Sequence, residues 1–350
     1  MVARFRVALV IQFVIQASCC ILSAQPVEDP QAQYNRATDY WYGSGVPQDY
    51  VEAANWFRKA AERGHAEAQY RLAQMLAIGQ GIRQDHTEAA SWYRNAADRG
   101  FARAQFNLGT MYVFGKGVAR DYGEAVKWFR KAADQGDVEA QYNLGVSYRE
   151  GQGVAQDFQE ALMWFRKAAD QGYSAAQFTI GLMYSDGQGV PKDPTQALTW
   201  FRKSADQEYP PAEFNMGVLY TSGIGVPRDL EKAVEWYRKA AEGGLSQAQN
   251  ALRTVAGAGL PSAQHALGMT FEYGWGSLVI EAEAVYWYRK AASQGYPLAE
   301  YDLGRMLTDG RGVRKDNAEA ETWFRRAAEK GIREAQTRLE TLGTPATPPK

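Results

Sequence analysis

Cysteine is almost missing from this chain. The two that occur, Cys19 and Cys20, stand together near the start, and none follows them. Past that point no disulfide, thiolate metal site or cysteine nucleophile is available. Histidine is equally scarce. His65, His86 and His265 are the three present, and they are scattered, with no cluster of His, Cys and acids at ligand spacing. No metal and no cofactor is therefore expected. No Ser-x-x-Lys and no Gly-x-Ser-x-Gly occurs, which removes two acyl-enzyme signatures. The glycine-rich stretches lack the strand and the Lys-Ser/Thr of a phosphate loop. Charge of neither sign dominates: 39 basic against 40 acidic residues give a formal net charge of −1. Nothing in that balance calls for nucleic acid or an acidic membrane as partner.

Long apolar runs are also lacking, with one exception. Arg4 and Arg6 precede an apolar stretch from Val7 to Leu22, which ends near the small residue Ala24. This is the shape of a secretory signal peptide over 1–24. The run is short for a membrane span and carries Gln12 and Gln16. An uncleaved anchor, or a lipid on Cys19 or Cys20, is the alternative. Export to the periplasm or beyond is the expectation. Residues 25–31 then read as a polar linker, and 343–350, rich in Pro and Thr, as a disordered tail.

What the chain has in abundance is one phrase. "AQFNLGTMYVFGKGVARDYGEAVKWFRKAADQG" begins at Ala104 and returns, little changed, at Ala140. Trp56, Trp92, Trp128, Trp164, Trp200 and Trp236 stand 36 residues apart; Trp287 follows after 51 and Trp323 after 36 more. Eight units start at Ala32, Ala68, Ala104, Ala140, Ala176, Ala212, Ala263 and Ala299. A period of this size marks a stack of supersecondary units in which neighbours bury each other's apolar faces. The 15 extra residues contain a doubled opening, "GLSQAQNAL" and "GLPSAQHAL", and read as an extra half-unit near 244–258. The opening at Arg333 reads as a capping helix over 333–342.

Within a unit, Ala140, Leu144 and Tyr148 repeat at helical spacing, as do Ala161, Phe165 and Ala169. Gly151 and Gly153 between them suit a helix end and a tight loop. Asp157 with Glu160 forms an N-terminal capping pair, repeated at Asp49/Glu52, Asp85/Glu88, Asp121/Glu124 and Asp316/Glu319. Pro194 falls at a first helical position. Each unit is therefore predicted as helix–turn–helix, in an all-α chain. Gly145 and its equivalents leave room for a large neighbour, which the Trp164–Phe165 pair can supply. One Trp per unit at fixed register reads as packing rather than as a ligand platform. The repeated Arg166–Lys167 pair, with an acid four residues after each Arg, reads as a charge-balanced, solvated face.

These residues resemble the Sel-1-like repeat family, relatives of the tetratricopeptide repeat. The family pattern is met by Ala140, Leu144, Gly145, Tyr148, Gly151, Gly153, Val154, Asp157, Ala161, Trp164, Phe165, Ala168, Ala169 and Gly172. The resemblance implies a right-handed α-solenoid and a non-catalytic scaffold that binds a protein or peptide. Exported bacterial members resemble envelope factors or host-directed effectors, and both settings stay open. One branch, the Helicobacter cysteine-rich proteins, is associated with penicillin binding and weak β-lactamase activity. Its paired cysteines have no counterpart here, so a β-lactamase-like hydrolase is the lesser alternative.

By the same resemblance the first helices line the concave side, and the residue before the conserved Leu faces it. That position reads Asn35, Arg71, Asn107, Asn143, Thr179, Asn215, Ala266 and Asp302. An Asn there can hold a partner's backbone through its donor and acceptor. The second candidate is the irregular unit at Ala263, where Phe271, Tyr273, Trp275 and Tyr286 gather and Ile280 replaces the capping Asp.

Overall fold

The computed structural model describes residues 28–343. The expected signal peptide, residues 25–27 of the expected linker and residues 344–350 of the tail lie outside the described residues. The chain divides into two units, Met1–Gln156 and Asp157–Lys350. Every regular element among the described residues is a helix. The first unit contains α1 (Pro30–Tyr42), α2 (Tyr50–Glu62), α3 (Ala66–Ile78), α4 (His86–Asp98), α5 (Ala102–Phe114), α6 (Tyr122–Asp134) and α7 (Val138–Glu150). The second contains α8 (Phe158–Asp170), α9 (Ser174–Asp186), α10 (Pro194–Ala205), α11 (Pro210–Ser222), α12 (Leu230–Glu242) and α13 (Ser246–Gly257). It continues with α14 (Pro261–Tyr273), α15 (Glu281–Ser293), α16 (Pro297–Asp309), α17 (Asn317–Glu329) and α18 (Arg333–Thr341). Each helix packs on the next within its unit. α1 starts inside the stretch read as linker, because Pro30 at its first turn needs no N–H partner.

Two close approaches set the geometry of a pair. On the first helix, a methyl placed on Gly109 would lie 2.7 Å from the Phe129 ring. The same construction gives 2.6 Å between Gly181 and Phe201, and 2.5 Å between Gly217 and Tyr237. The aromatic that fills the glycine's space is thus the residue after the Trp. Between pairs, a methyl on Gly117 would lie 1.9 Å from the carbonyl oxygen of His86, so the loop rests on the start of the preceding repeat's second helix.

The Trp side chains do different work. Lys59 Nζ lies 3.7 Å from the centre of the Trp56 ring, Lys131 3.8 Å from Trp128 and Lys167 3.9 Å from Trp164. Each such cation–π contact is worth about 0.5–1 kcal/mol at a part-exposed site. The basic pair is therefore not a freely solvated face: its Lys covers the Trp and its Arg ties repeats together. Arg94 and Arg130 donate to the hydroxyls of Tyr112 and Tyr148, eighteen residues on, and Arg202 does so to Tyr220 at 3.1 Å. Where Leu76 or Leu307 stands at that position, Arg58 and Arg289 reach Glu88 and Glu319 instead. Arg238, whose equivalent partner position holds Ala256, makes the expected i,i+4 pair with Glu242 at 3.1 Å.

The capping acids form only half of a capping box. Asp85 Oδ1 accepts from the Thr87 and Glu88 amides at 2.9 Å. The return bond is not made, because the Asp85 amide already donates to the Leu76 carbonyl at 3.0 Å. The same bond joins Asp121 to Tyr112 and Asp316 to Leu307. The acid at the third position is left free to meet Arg58 or Lys127.

The 15-residue insertion is α13. Its start copies a first helix and its end a second one: "RTVAGAGL" matches "RKAADQGY" after Arg166. The bonding follows suit, since Gln264 Nε2 donates to the Ala256 carbonyl at 3.2 Å, as Gln177 does to Ala169. One helix serves both roles, and α14 packs on α12 as well as on α13.

Ile280 leaves α15 without a side-chain cap. Ile280→Asp should raise stability by about 1 kcal/mol and Asp157→Ala should lower it by about as much, read as opposite shifts of the urea midpoint.

Candidate interaction surface

In the first unit, Asn35 is exposed at the surface of α1 and accepts from Gln31 at 2.9 Å. Arg71 and Asn107 are half-buried, and Asn107 lies against the Tyr93 hydroxyl, whose pKa burial raises. Asn143 on α7 donates an amide N–H to the Glu139 carbonyl of its own helix at 2.8 Å. In the second unit Asn215 does the same to Pro211 at 2.9 Å. Each of these two keeps its carbonyl oxygen and a second N–H for another partner. Thr179 and Ala266 are buried at the same register, so the row is not an unbroken polar surface.

A different row escaped the sequence reading. Tyr42, Ile78 and Phe114 end α1, α3 and α5 at one register and are about two-thirds exposed. The signal was present: a large apolar residue before the helix-ending glycine, where later repeats have Glu150, Asp186 and Ser222.

The irregular unit sorts its aromatics into two groups. Phe271 is only 4% exposed and belongs to the core, with Arg253 packed over it. It therefore leaves the candidate surface. Tyr273 is exposed and stacks on Trp275, ring centres 5.0 Å apart. Tyr286 is exposed and stands edge-on to Trp287. Between them the loop inverts the usual pattern. Where other repeats read Val or Ile, then Pro, Ala or Arg, then Gln, Arg or Lys, then Asp, this one reads Ser277-Leu278-Val279-Ile280. Leu278 is 81% exposed, Val279 56% and Ile280 43%.

Beneath that loop lies a charged cluster made of departures from the repeat. Glu272 stands where Thr221 and Thr308 occur, Asp302 where Asn is common, Arg305 where Val or Leu occurs, and His265 where a ring of Tyr or Phe occurs. The structure brings all four together across α14 and α16. Arg305 Nη2 lies 2.7 and 2.8 Å from the two oxygens of the buried Glu272. The Tyr288 hydroxyl donates to Glu272 at 2.7 Å and Arg311 at 2.9 Å. His265 Nε2 meets Asp302 at 2.8 Å, and Arg311 continues to Glu281 at 2.8 Å. Burial, with the nearby acids, drives the Tyr288 hydroxyl far above its usual pKa, so it remains a donor. The charges are mutually paired and no nucleophile is among them. The cluster holds α14, α15 and α16 in fixed register and so braces the apolar loop. Among the described residues no group of His, Cys and acids is placed to hold a metal, and no helix is long and apolar enough to cross a membrane.

A model of the Sel1 repeat matches residues 30–65, 66–101, 102–137, 138–173, 174–209, 210–245, 261–296 and 297–332. The chain belongs to the Sel1 repeat family. α13 falls between two of the matched repeats. Among solved structures, the chain is similar to a protective antigen of uropathogenic Escherichia coli that displays an SLR fold. They share 35% identity over 91% of this chain and 74% of the other, with a TM-score of 0.60. It is also similar to a Sel1 repeat protein from Oxalobacter formigenes, at 33% identity over 64% of this chain and 90% of that one, with a TM-score of 0.56. No curated protein matches it. Sel1 repeat proteins generally mediate protein–protein interactions, and their fold is typically non-catalytic.

The Glu272 cluster is testable as a brace. Arg305→Met should cost about 1.5–3 kcal/mol, because it removes the charged bonds to the buried Glu272 and leaves that carboxylate to Arg311 and Tyr288 alone. Adding Glu272→Thr, the residue two other repeats use, should recover most of that loss in a chemical denaturation series.

Proposed function

We propose that this Sel1 repeat protein is a non-catalytic scaffold of the bacterial cell envelope, exported by its first 24 residues, that holds a partner protein or peptide. The repeat architecture supports a binding role. Two candidate contacts are open to it: the first-helix residues Asn35, Arg71, Asn107 and Asn143 of the first unit and Asn215 of the second, and the irregular repeat's Tyr273 and Trp275. The signal-peptide pattern supports export, and the likeness to a protein described as a protective antigen is in keeping with it.

The observation that carries this reading is the inverted loop at Leu278–Ile280. The helix that follows loses its cap, and three aliphatic side chains face water where the other repeats put Pro, Ala or Arg, then a polar residue, then Asp. A departure that costs stability and exposes apolar surface is the mark of a contact made with something else. Tyr273, Trp275 and Tyr286 add rigid aromatic area beside it, the residue types on which binding energy concentrates.

Capture from envelope extracts with residues 25–350 tests it against two variants. Leu278→Gln with Val279→Lys should lose a partner that the parent chain retains, with helicity unchanged. Asn107→Ala with Asn143→Ala and Asn215→Ala should weaken the same partner. Retention of every captured protein by both variants would sink the proposal.

A further inference from the structure

One register of the first helices holds a buried polar side chain, and where it is Gln it can close the seam to the helix before it. In most repeats it is Gln. Gln69 and Gln105 donate Nε2 to the Ala61 and Ala97 carbonyls at 3.0 Å, and Gln177 to Ala169 at 3.2 Å. The amide oxygen is then met from thirty residues on: Gln135 reaches Gln105 at 2.8 Å, Gln207 reaches Gln177 at 2.7 Å and Gln294 reaches Gln264 at 2.8 Å.

Two repeats carry Glu at this register, Glu213 and Glu300. Glu300 is fully buried, and thirty residues on Lys330 places Nζ 2.8 Å from it, with Arg326 at 3.0 Å. Glu213 is only 4% exposed, yet the residue thirty positions on is Gly243. Nothing larger fits there, since a methyl on Gly243 would lie 2.4 Å from Pro210. The Glu213 carboxylate has no hydrogen-bond partner among the described residues, whereas its backbone amide donates to the Tyr209 carbonyl at 3.1 Å. It lines a cleft of about 530 Å³ that also takes in Asp206, Glu208 and Glu242. The two cations on the wall are engaged elsewhere: Arg238 with Glu242 at 3.1 Å, and Lys239 over the Trp236 ring at 4.6 Å.

We propose that the Glu213 cleft binds a primary ammonium group, presented by a partner's lysine side chain or by a free alkylamine. The Glu300–Lys330 pair shows, in this same chain, which group completes a carboxylate at this register. A buried carboxylate without a partner is costly, and burial does hold the Glu213 carboxyl above its usual pKa. An ammonium carries three donors. One meets Glu213, and a second can reach the free lone pair of the Ala205 carbonyl, the acceptor that Gln satisfies at the equivalent position elsewhere. The proposal stands apart from the apolar loop and its partner.

The test is an amide-shift titration of the full chain with n-butylammonium chloride, with tetramethylammonium chloride at equal ionic strength as control. Saturable shifts at Glu208 and Glu213 are expected. They should be at least tenfold weaker with tetramethylammonium, which has no N–H to donate. Glu213→Gln should abolish them, and that variant restores the residue most repeats already use, so it should fold. Lys239→Met should bind at least as well as the parent. A peptide with one lysine, compared with its norleucine analogue, separates the sources. Tighter binding than butylammonium assigns the site to a partner's lysine, equal binding to a small amine, and either upholds it. An unchanged titration in Glu213→Gln would overturn the proposal. So would no saturable shift in the parent chain, or a response seen only with Lys239→Met, which would mean that Lys239 already serves Glu213.

Discussion

A ring against a bare glycine is the contact on which the helix pairs from the third repeat on depend; the first two repeats carry the buried Ala37 and Ala73 at that register. Gly109, Gly181, Gly217, Gly268 and Gly304 stand in first helices, where glycine is a poor helix former by about 1 kcal/mol relative to alanine. The chain accepts that cost in five described repeats because Phe129, Phe201, Tyr237, Tyr288 and Phe324 occupy the space a methyl would need. The approach of the two backbones follows from it. So does the short loop, whose own glycines let it lie on the preceding repeat, and so does the reach of the Gln and Arg side chains that join neighbouring repeats.

Much of this was legible in the sequence because the repeat reports itself eight times. Period, helix pairs, loop glycines and capping acids all follow from spacing alone. What could not be read were partners outside the local window. The capping glutamates look like halves of a box until the Asp85 amide is found bonded to Leu76. The Arg of the basic pair looks matched to the acid four residues on until it is seen bonded to a tyrosine eighteen residues away. Sequence periodicity shows which residues share a helix face. It does not show which of several possible partners wins.

The candidate surface was half legible for the same reason. The Asn positions follow from the repeat register. The Glu272 cluster does not, because its members are four separate departures on two first helices that only the fold brings together. Even so the sequence carried a clue: His265, Glu272, Asp302 and Arg305 each break the pattern, all within two adjoining repeats. Phe271 shows the converse error. It neighbours Tyr273 and Trp275 in sequence, but its register is a core register, and the fold buries it. In a repeat protein the regular positions explain stability, and the irregular ones are where function is to be sought: the apolar loop at Leu278 and the unmatched carboxylate at Glu213.

The most direct test of this picture is the sign of a single substitution, Gly109→Ala, measured by urea denaturation. Helix propensity alone favours alanine by about 1 kcal/mol. The contact with Phe129 makes the expected result a loss of about 1–3 kcal/mol, partly relieved when Phe129→Leu is added. A neutral or stabilising Gly109→Ala would contradict it, and the packing of the repeat would then need another explanation.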